Sequence, residues 1–129
     1  MRDISLLILA CVQLLDIKTP VQVEYRIKCR GQLKRVAAYC WDHRRKGVLK
    51  KFRLVINTRQ MLESDYDSYS VIAHEFVHAK MIENGTFNPL NHHCETFQKI
   101  ALELRKCLNT AGFKISKTGI YNPDTDDAG

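Results

Sequence analysis

Residues 69–83, with the sequence YSVIAHEFVHAKMIE, decide the fold expected for this chain of 129 residues. Their apolar positions recur at helical spacing and Gly85 follows as a stop signal, so the pattern predicts a helix that ends near Glu83. His74 and His78 are four residues apart, which places both imidazoles on one face of that helix. Two imidazoles one turn apart are the geometry for binding one metal ion.

Glu75 completes the pattern His-Glu-x-x-His. A carboxylate at this position reaches a water molecule on the metal rather than the metal itself, and its expected role is general base. The expected cofactor is one Zn²⁺ per chain, which would lower the pKa of that water and polarise the scissile carbonyl. Because the flanking residues are apolar, two solvent-facing histidines are the less favoured interpretation. The motif predicts a zinc-dependent endopeptidase.

A catalytic zinc needs a third protein ligand and one open position. Asn84 stands where metzincins carry their third histidine, so that ligand must come from elsewhere. The downstream candidates are His92, His93, Glu95 and Glu103. A histidine from the loop before the next helix would complete the site. A glutamate would do so instead if the protein were a gluzincin-like or repressor-cleaving peptidase.

Two motifs resemble the SprT-like zinc metallopeptidases, which include the Spartan proteases of DNA–protein crosslink repair. HEFVHA at residues 74–79 is similar to the helix motif of that family. HCETF at residues 93–97 is similar to its downstream motif, with Cys94 where the family usually has glycine. The resemblance covers about residues 1–113 and is to a compact form without the zinc ribbon of many members. It implies a small zincin-like domain, His93 as the third ligand, and DNA-associated proteins as substrates.

The rest of the chain predicts one α+β domain over residues 1–121 and an acidic, disordered tail over 122–129. Three strands are expected to form an antiparallel meander, preceded by an N-terminal helix and followed by two helices that carry the ligands. The predicted elements are a helix over 3–17, strands over 21–27, 35–42 and 52–56, the motif helix beginning with Ser64 as N-cap, a helix over 94–109, and a short strand within 113–121.

The net charge of +6 is unevenly distributed, with many cationic residues between positions 34 and 53. Gly47 marks a turn within this segment, which predicts a basic hairpin. The candidate nucleic-acid-binding residues are Arg44, Arg45, Lys46, Lys50 and Lys51. Such a cluster predicts DNA phosphates as a partner, and the alternative is a solvated turn that binds nothing.

Five cysteines without a C-x-x-C pair predict reduced thiols and a cytoplasmic protein, or one of the host cytoplasm if the gene belongs to a phage. The apolar run at residues 5–15 is too short to span a bilayer and lacks a basic n-region, which favours a core helix and no membrane partner. The protein is expected to be a monomer.

Two questions stay open at the level of sequence. Tyr39, Tyr69 or Tyr121 could stabilise an oxyanion, although each is more often a packing residue. The chain could also be a DNA-associated protein that binds zinc but cleaves little. An intact Glu75 argues against this alternative, since a structural metal site needs no base.

Overall fold

Six elements account for most of the residues that this computed structural model describes, which are 4–26, 38–59, 68–88, 90–116 and 120. They are α1 (Ile4–Leu14), β1 (Val21–Arg26), β2 (Ala38–Arg45), β3 (Val48–Asn57), α2 (Ser68–Asn84) and α3 (Glu95–Thr110). Together they form a small mixed α+β domain with three helices and a three-stranded sheet, as predicted for the fold class. The predicted N-cap Ser64 and the tail 122–129 lie outside the described residues.

Helix α2 carries the histidine motif and is the central element of the domain. Every residue from 72 to 79 is buried, because β2, α1 and α3 all pack against this helix. Its end agrees with the prediction to within one residue. Gly85 follows with φ 73°, and the Thr86 N–H donates to the Met81 carbonyl at 2.9 Å, closing the helix with a Schellman turn.

The sheet has the strand order β1-β3-β2, so the predicted antiparallel meander is wrong. Strands β2 and β3 do form an antiparallel hairpin. Its turn has positive φ at Lys46 and Gly47, 52° and 78°, as a tight two-residue turn requires. Strand β1 instead pairs parallel with β3, in a register that runs from Val21 beside Phe52 to Arg26 beside Asn57.

The physical reason for this error is the central position of β3. In the predicted order β1-β2-β3 and in the observed order β1-β3-β2 alike, β2 begins near the end of β1. The alternation of apolar and polar residues and the length of the connections therefore do not distinguish the two orders. Leu54, Val55 and Ile56 are consecutive and all buried, which is typical of a strand covered on both faces. A strand of that kind is better placed between two partners than at an edge.

The core lies between the sheet and the helices. Phe52, Leu54 and Ile56 contribute to it from β3, while Leu7 and Cys11 contribute from α1. The helix predicted over 94–109 is confirmed, and its buried residues are Phe97, Ala101, Leu104 and Leu108.

The N-terminal helix is confirmed, but part of its apolar surface points away from the core. Leu6 and Leu14 are 55% and 46% exposed, whereas Ile4, Leu7 and Cys11 are buried. Among the described residues, no helix is both long enough and apolar enough to cross a membrane.

The chain after α3 forms no strand over residues 113–116, and residues 117–119 and 121 lie outside the described part. Polar contacts hold this segment against the helices instead. The Ile115 N–H donates to Asn109 Oδ1 at 2.9 Å, and the Ser116 N–H donates to the buried Ser70 Oγ at 2.7 Å. This segment leads to Ile120, which is fully buried.

Candidate metal centre

Three histidines meet in the interior. His74 and His78 come from α2, and His93 comes from the loop immediately before α3. His74 Nε2 lies 3.2 Å from His78 Nε2 and 3.2 Å from His93 Nε2. The three donor atoms lie within 4.8 Å of one another, and all three residues are buried. This cluster could bind a metal ion.

Two of the nitrogen–nitrogen separations in the cluster suit neighbouring ligands of one metal ion. Zinc binds imidazole nitrogen at about 2.0–2.1 Å, so two nitrogens at corners of a tetrahedron are about 3.3 Å apart. The two separations of 3.2 Å match that edge. Three imidazoles on one such ion would leave a fourth position for a water molecule or a substrate oxygen.

A backbone carbonyl orients the first ligand. His74 Nδ1 lies 2.7 Å from the Ile120 carbonyl oxygen. Because a carbonyl only accepts, Nδ1 carries the proton and Nε2 keeps its lone pair toward the cluster. The contact joins positions 46 residues apart in the chain, so it depends on the tertiary fold.

The three imidazole rings share one aromatic neighbour. The Phe97 ring centroid lies 5.1 Å from His74, 4.7 Å from His78 and 4.8 Å from His93. Phe97 is fully buried on the first turns of α3. Its ring therefore restricts the rotation of all three imidazoles and keeps water away from one side of the cluster.

Glu75 lies beside the cluster and is only 3% exposed. Its Oε1 accepts a hydrogen bond from the backbone N–H of Cys40 at 3.1 Å, and its Oε2 is 4.0 Å from His74 Nε2. Burial raises the pKa of Glu75 well above its usual range, and the Cys40 hydrogen bond offsets part of that rise. One carboxylate oxygen is thus anchored to β2 while the other faces the histidines.

The acidic candidates for the third ligand lie elsewhere. Glu95 and Glu103 are both exposed on α3. Glu95 pairs with Lys99 at 3.2 Å, and Glu103 contacts Cys107. Among the described residues, neither belongs to a group of side chains able to share a metal with the motif histidines.

A cleft of about 420 Å³ adjoins Glu75 and His78. The edge of β2, the C-terminal half of α2 and the loop after it form its walls. His92, an open candidate for the third ligand, lines this cleft instead, with its ring 5.1 Å from Phe87 and 6.3 Å from His78. The lining residues are Cys40, Trp41, Asp42, Arg44, Glu75, His78, Ile82, Gly85, Phe87 and His92.

No protein-family model, curated protein or solved structure matches this chain. The side chains of the site itself are therefore the basis for inferring what the site can do. The site consists of three imidazoles that could bind a metal ion, one buried carboxylate and an adjoining cleft.

The basic hairpin has two kinds of cation. Arg45, Lys46 and Lys50 are exposed at or near the turn. Arg44 instead pairs with Asp42 at 2.8 Å, and Lys51 donates to Gln22 at 2.6 Å. The structure thus confirms the hairpin but commits two of its five candidate cations to other side chains.

The structure describes the side chain of one of the three tyrosine candidates. Tyr69 packs edge-on against Phe113, with ring centroids 5.6 Å apart. The side chain of Tyr39 and the whole of Tyr121 lie outside the described part of the chain.

Two contributors to the site could not be found from sequence: the Ile120 carbonyl and the Cys40 N–H. Both are backbone atoms, which carry no side-chain signal.

Proposed function

We propose that this protein is a zinc-dependent endopeptidase. The observation that carries the proposal is a buried carboxylate, Glu75, whose Oε2 lies 4.0 Å from His74 Nε2 at the edge of a three-histidine cluster. A purely structural metal site would have no use for that group, and a buried carboxylate without a function is costly to the fold.

The chemistry divides between the metal and the protein. When bound, zinc would supply a Lewis acid that polarises the scissile carbonyl and makes water acidic enough to deprotonate near neutral pH. His74, His78 and His93 would hold it. Glu75 accepts the proton of the attacking water at its Oε2 and can return it to the leaving amine.

An extended peptide fits the cleft because β2 is an edge strand of the described sheet. Peptides commonly bind such edges as an added strand. The Cys40 N–H on this strand already contacts Glu75, so a peptide laid along β2 would bring its backbone next to the general base.

We also propose DNA-associated proteins as substrates and a cytoplasmic location. Support for the first comes from Arg45, Lys46 and Lys50, which are exposed on the hairpin whose Arg44 lines the cleft. Support for the second comes from Cys11, Cys40, Cys94 and Cys107, all free thiols, with Cys29 outside the described residues. The competing function, a DNA-associated zinc protein with little proteolysis, keeps the same ligands but assigns no task to Glu75.

The variant Glu75→Gln tests the proposal. Glutamine has nearly the same shape and still accepts the Cys40 hydrogen bond, but it cannot take a proton from water. We expect unchanged zinc content and melting behaviour, with casein hydrolysis reduced by at least about 100-fold. The readouts are metal analysis, thermal unfolding and release of casein fragments, with and without single-stranded DNA. Near wild-type hydrolysis by this variant would exclude Glu75 as the base. A zinc-loaded wild type that cleaves nothing would favour the binding protein.

A further inference from the structure

We propose that the cleft beside Glu75 selects substrates that carry a bulky apolar or aromatic side chain next to the scissile bond. This inference rests on the proposed peptidase function and names its substrate class. It is carried by the residues that wall the cleft on the side away from β2, chiefly Ile82 and Phe87.

The backbone of β2 determines where a peptide would lie. In an antiparallel pair, alternate residues direct their N–H and C=O groups toward the partner strand and away from it. The Cys40 N–H leaves the sheet to reach Glu75, so Asp42, two residues further along, directs its peptide groups the same way. Asp42 also lines the cleft. A substrate strand paired there would pass between β2 and the wall formed by α2 and the following loop.

That opposite wall is apolar. Ile82 lies one turn beyond His78 on α2 and lines the cleft. Phe87, in the loop after α2, is 37% exposed, and its ring packs against His92 at 5.1 Å. A large apolar side chain entering between Ile82 and Phe87 would remove both from water, whereas a small side chain would leave them exposed.

Charge at the mouth of the cleft does not favour a charged side chain. Asp42 and Arg44 both line the cleft and pair with each other at 2.8 Å. An acidic or basic substrate side chain would have to compete with that existing ion pair. Shape and apolar contact therefore determine the selection.

The test compares peptides that differ at one position. Cleavage sites are first mapped by mass spectrometry on denatured casein, and one cleaved segment is then synthesised with Phe, Leu, Ala, Asp or Lys beside the scissile bond. We expect kcat/KM for the Phe and Leu peptides to exceed that for the Ala peptide by about tenfold or more. The Asp and Lys peptides should be no better than the Ala peptide.

Two variants and one control assign the preference to the cleft. Phe87→Ala should lower kcat/KM for the Phe peptide by about tenfold while changing the Ala peptide little. Ile82→Phe should narrow the cleft and reduce or reverse the preference. Leu90→Ala is the matched control, because Leu90 follows in the same loop, is 96% exposed and does not line the cleft. Zinc content is measured for each protein.

A binding experiment separates this inference from the proposed function. Zinc-loaded Glu75→Gln protein is titrated with two fluorescent peptides of one casein segment, chosen whether or not it is cleaved, that carry Phe or Ala at the central position. Tighter binding of the Phe peptide is expected. Cleavage without side-chain preference, or a preference unchanged in Phe87→Ala, would overturn the inference and leave the peptidase intact. Preferential binding with no cleavage by the wild type would overturn the peptidase and keep the subsite. If the wild type cleaves nothing and the Phe peptide binds no more tightly than the Ala peptide, both the peptidase and the subsite are overturned.

Discussion

His93 shows how one residue acquires a role from its position. Its neighbour His92 has the same side chain. His93 Nε2 lies 3.2 Å from His74 Nε2, whereas the His92 ring packs on Phe87. Both precede α3, and the His93 ring lies 4.8 Å from the Phe97 ring, between centroids. Of these two neighbours, His93 alone belongs to the group of described residues that could bind a metal ion.

We expect His93→Ala to lower zinc affinity by more than about 100-fold, because even the partners that orient metal ligands are worth 10–100-fold. His92→Ala and Glu103→Ala are the matched controls and should keep wild-type affinity. A chromogenic chelator in competition with each protein measures the zinc affinity. Full zinc binding by His93→Ala, together with loss in Glu103→Ala, would show that the third ligand is acidic.

At the scale of elements, Glu83 joins the end of α2 to the connection between α1 and β1. Its carboxylate accepts hydrogen bonds from the Thr19 hydroxyl at 2.6 Å, the Thr19 N–H at 2.8 Å and the Lys18 N–H at 3.0 Å. Burial alone would raise the pKa of Glu83, but the hydrogen bonds from Thr19 and Lys18 outweigh it and lower that pKa. The contact fixes where β1 begins relative to the helix that carries the ligands.

Because the pKa of Glu83 is lower in the folded than in the unfolded state, its contribution is fully present above the unfolded pKa of about 4.3. It is lost as the pH falls through the folded value. We expect Glu83→Gln to reduce the free energy of unfolding by about 1–3 kcal/mol at pH 7. The difference from wild type should shrink below about pH 4.

Urea unfolding of both proteins from pH 7 to pH 3 measures this difference, and loss of zinc in acid affects both alike. Glu95→Gln is the control, since its exposed pair with Lys99 should be worth less than about 0.5 kcal/mol. A Glu83→Gln deficit that persists unchanged at pH 3 would contradict the assignment.

At the scale of the whole molecule, the basic hairpin and the cleft are neighbours, because Arg44 belongs to both. A polyanion bound at the turn would hold its associated proteins close to Glu75. The exposed cations Arg45, Lys46 and Lys50 are the groups available for this, whereas Arg44 and Lys51 already have protein partners. The positive charge that the hairpin exposes to solvent therefore lies next to the cleft.

Replacing Arg45, Lys46 and Lys50 with glutamine should weaken binding of single- and double-stranded DNA while leaving zinc content unchanged. If each contacts one phosphate, the slope of log affinity against log salt should fall by about 2 for single strands. Fluorescence anisotropy at several salt concentrations measures this.

A triple glutamine variant of Lys99, Lys106 and Lys114, exposed lysines away from the hairpin, has the same change in net charge and serves as control. Equal weakening by both variants would mean that total charge, and no hairpin site, determines binding. Equally poor DNA binding by wild type and the hairpin variant would leave the turn without a partner.

The helices and the pair His74 and His78 followed from the sequence alone, because helical periodicity and a spacing of four residues are local properties. His93 was one of four open candidates until the resemblance to SprT-like peptidases singled it out.

Tertiary structure decided the rest. The parallel pairing of β1 with β3 reflects which strand is buried on both faces, and that depends on the whole core. The Ile120 carbonyl reaches His74 and the Cys40 N–H reaches Glu75 across 46 and 35 residues of chain. Backbone atoms are the same in every residue, so only the folded chain determines which of them meets a functional side chain.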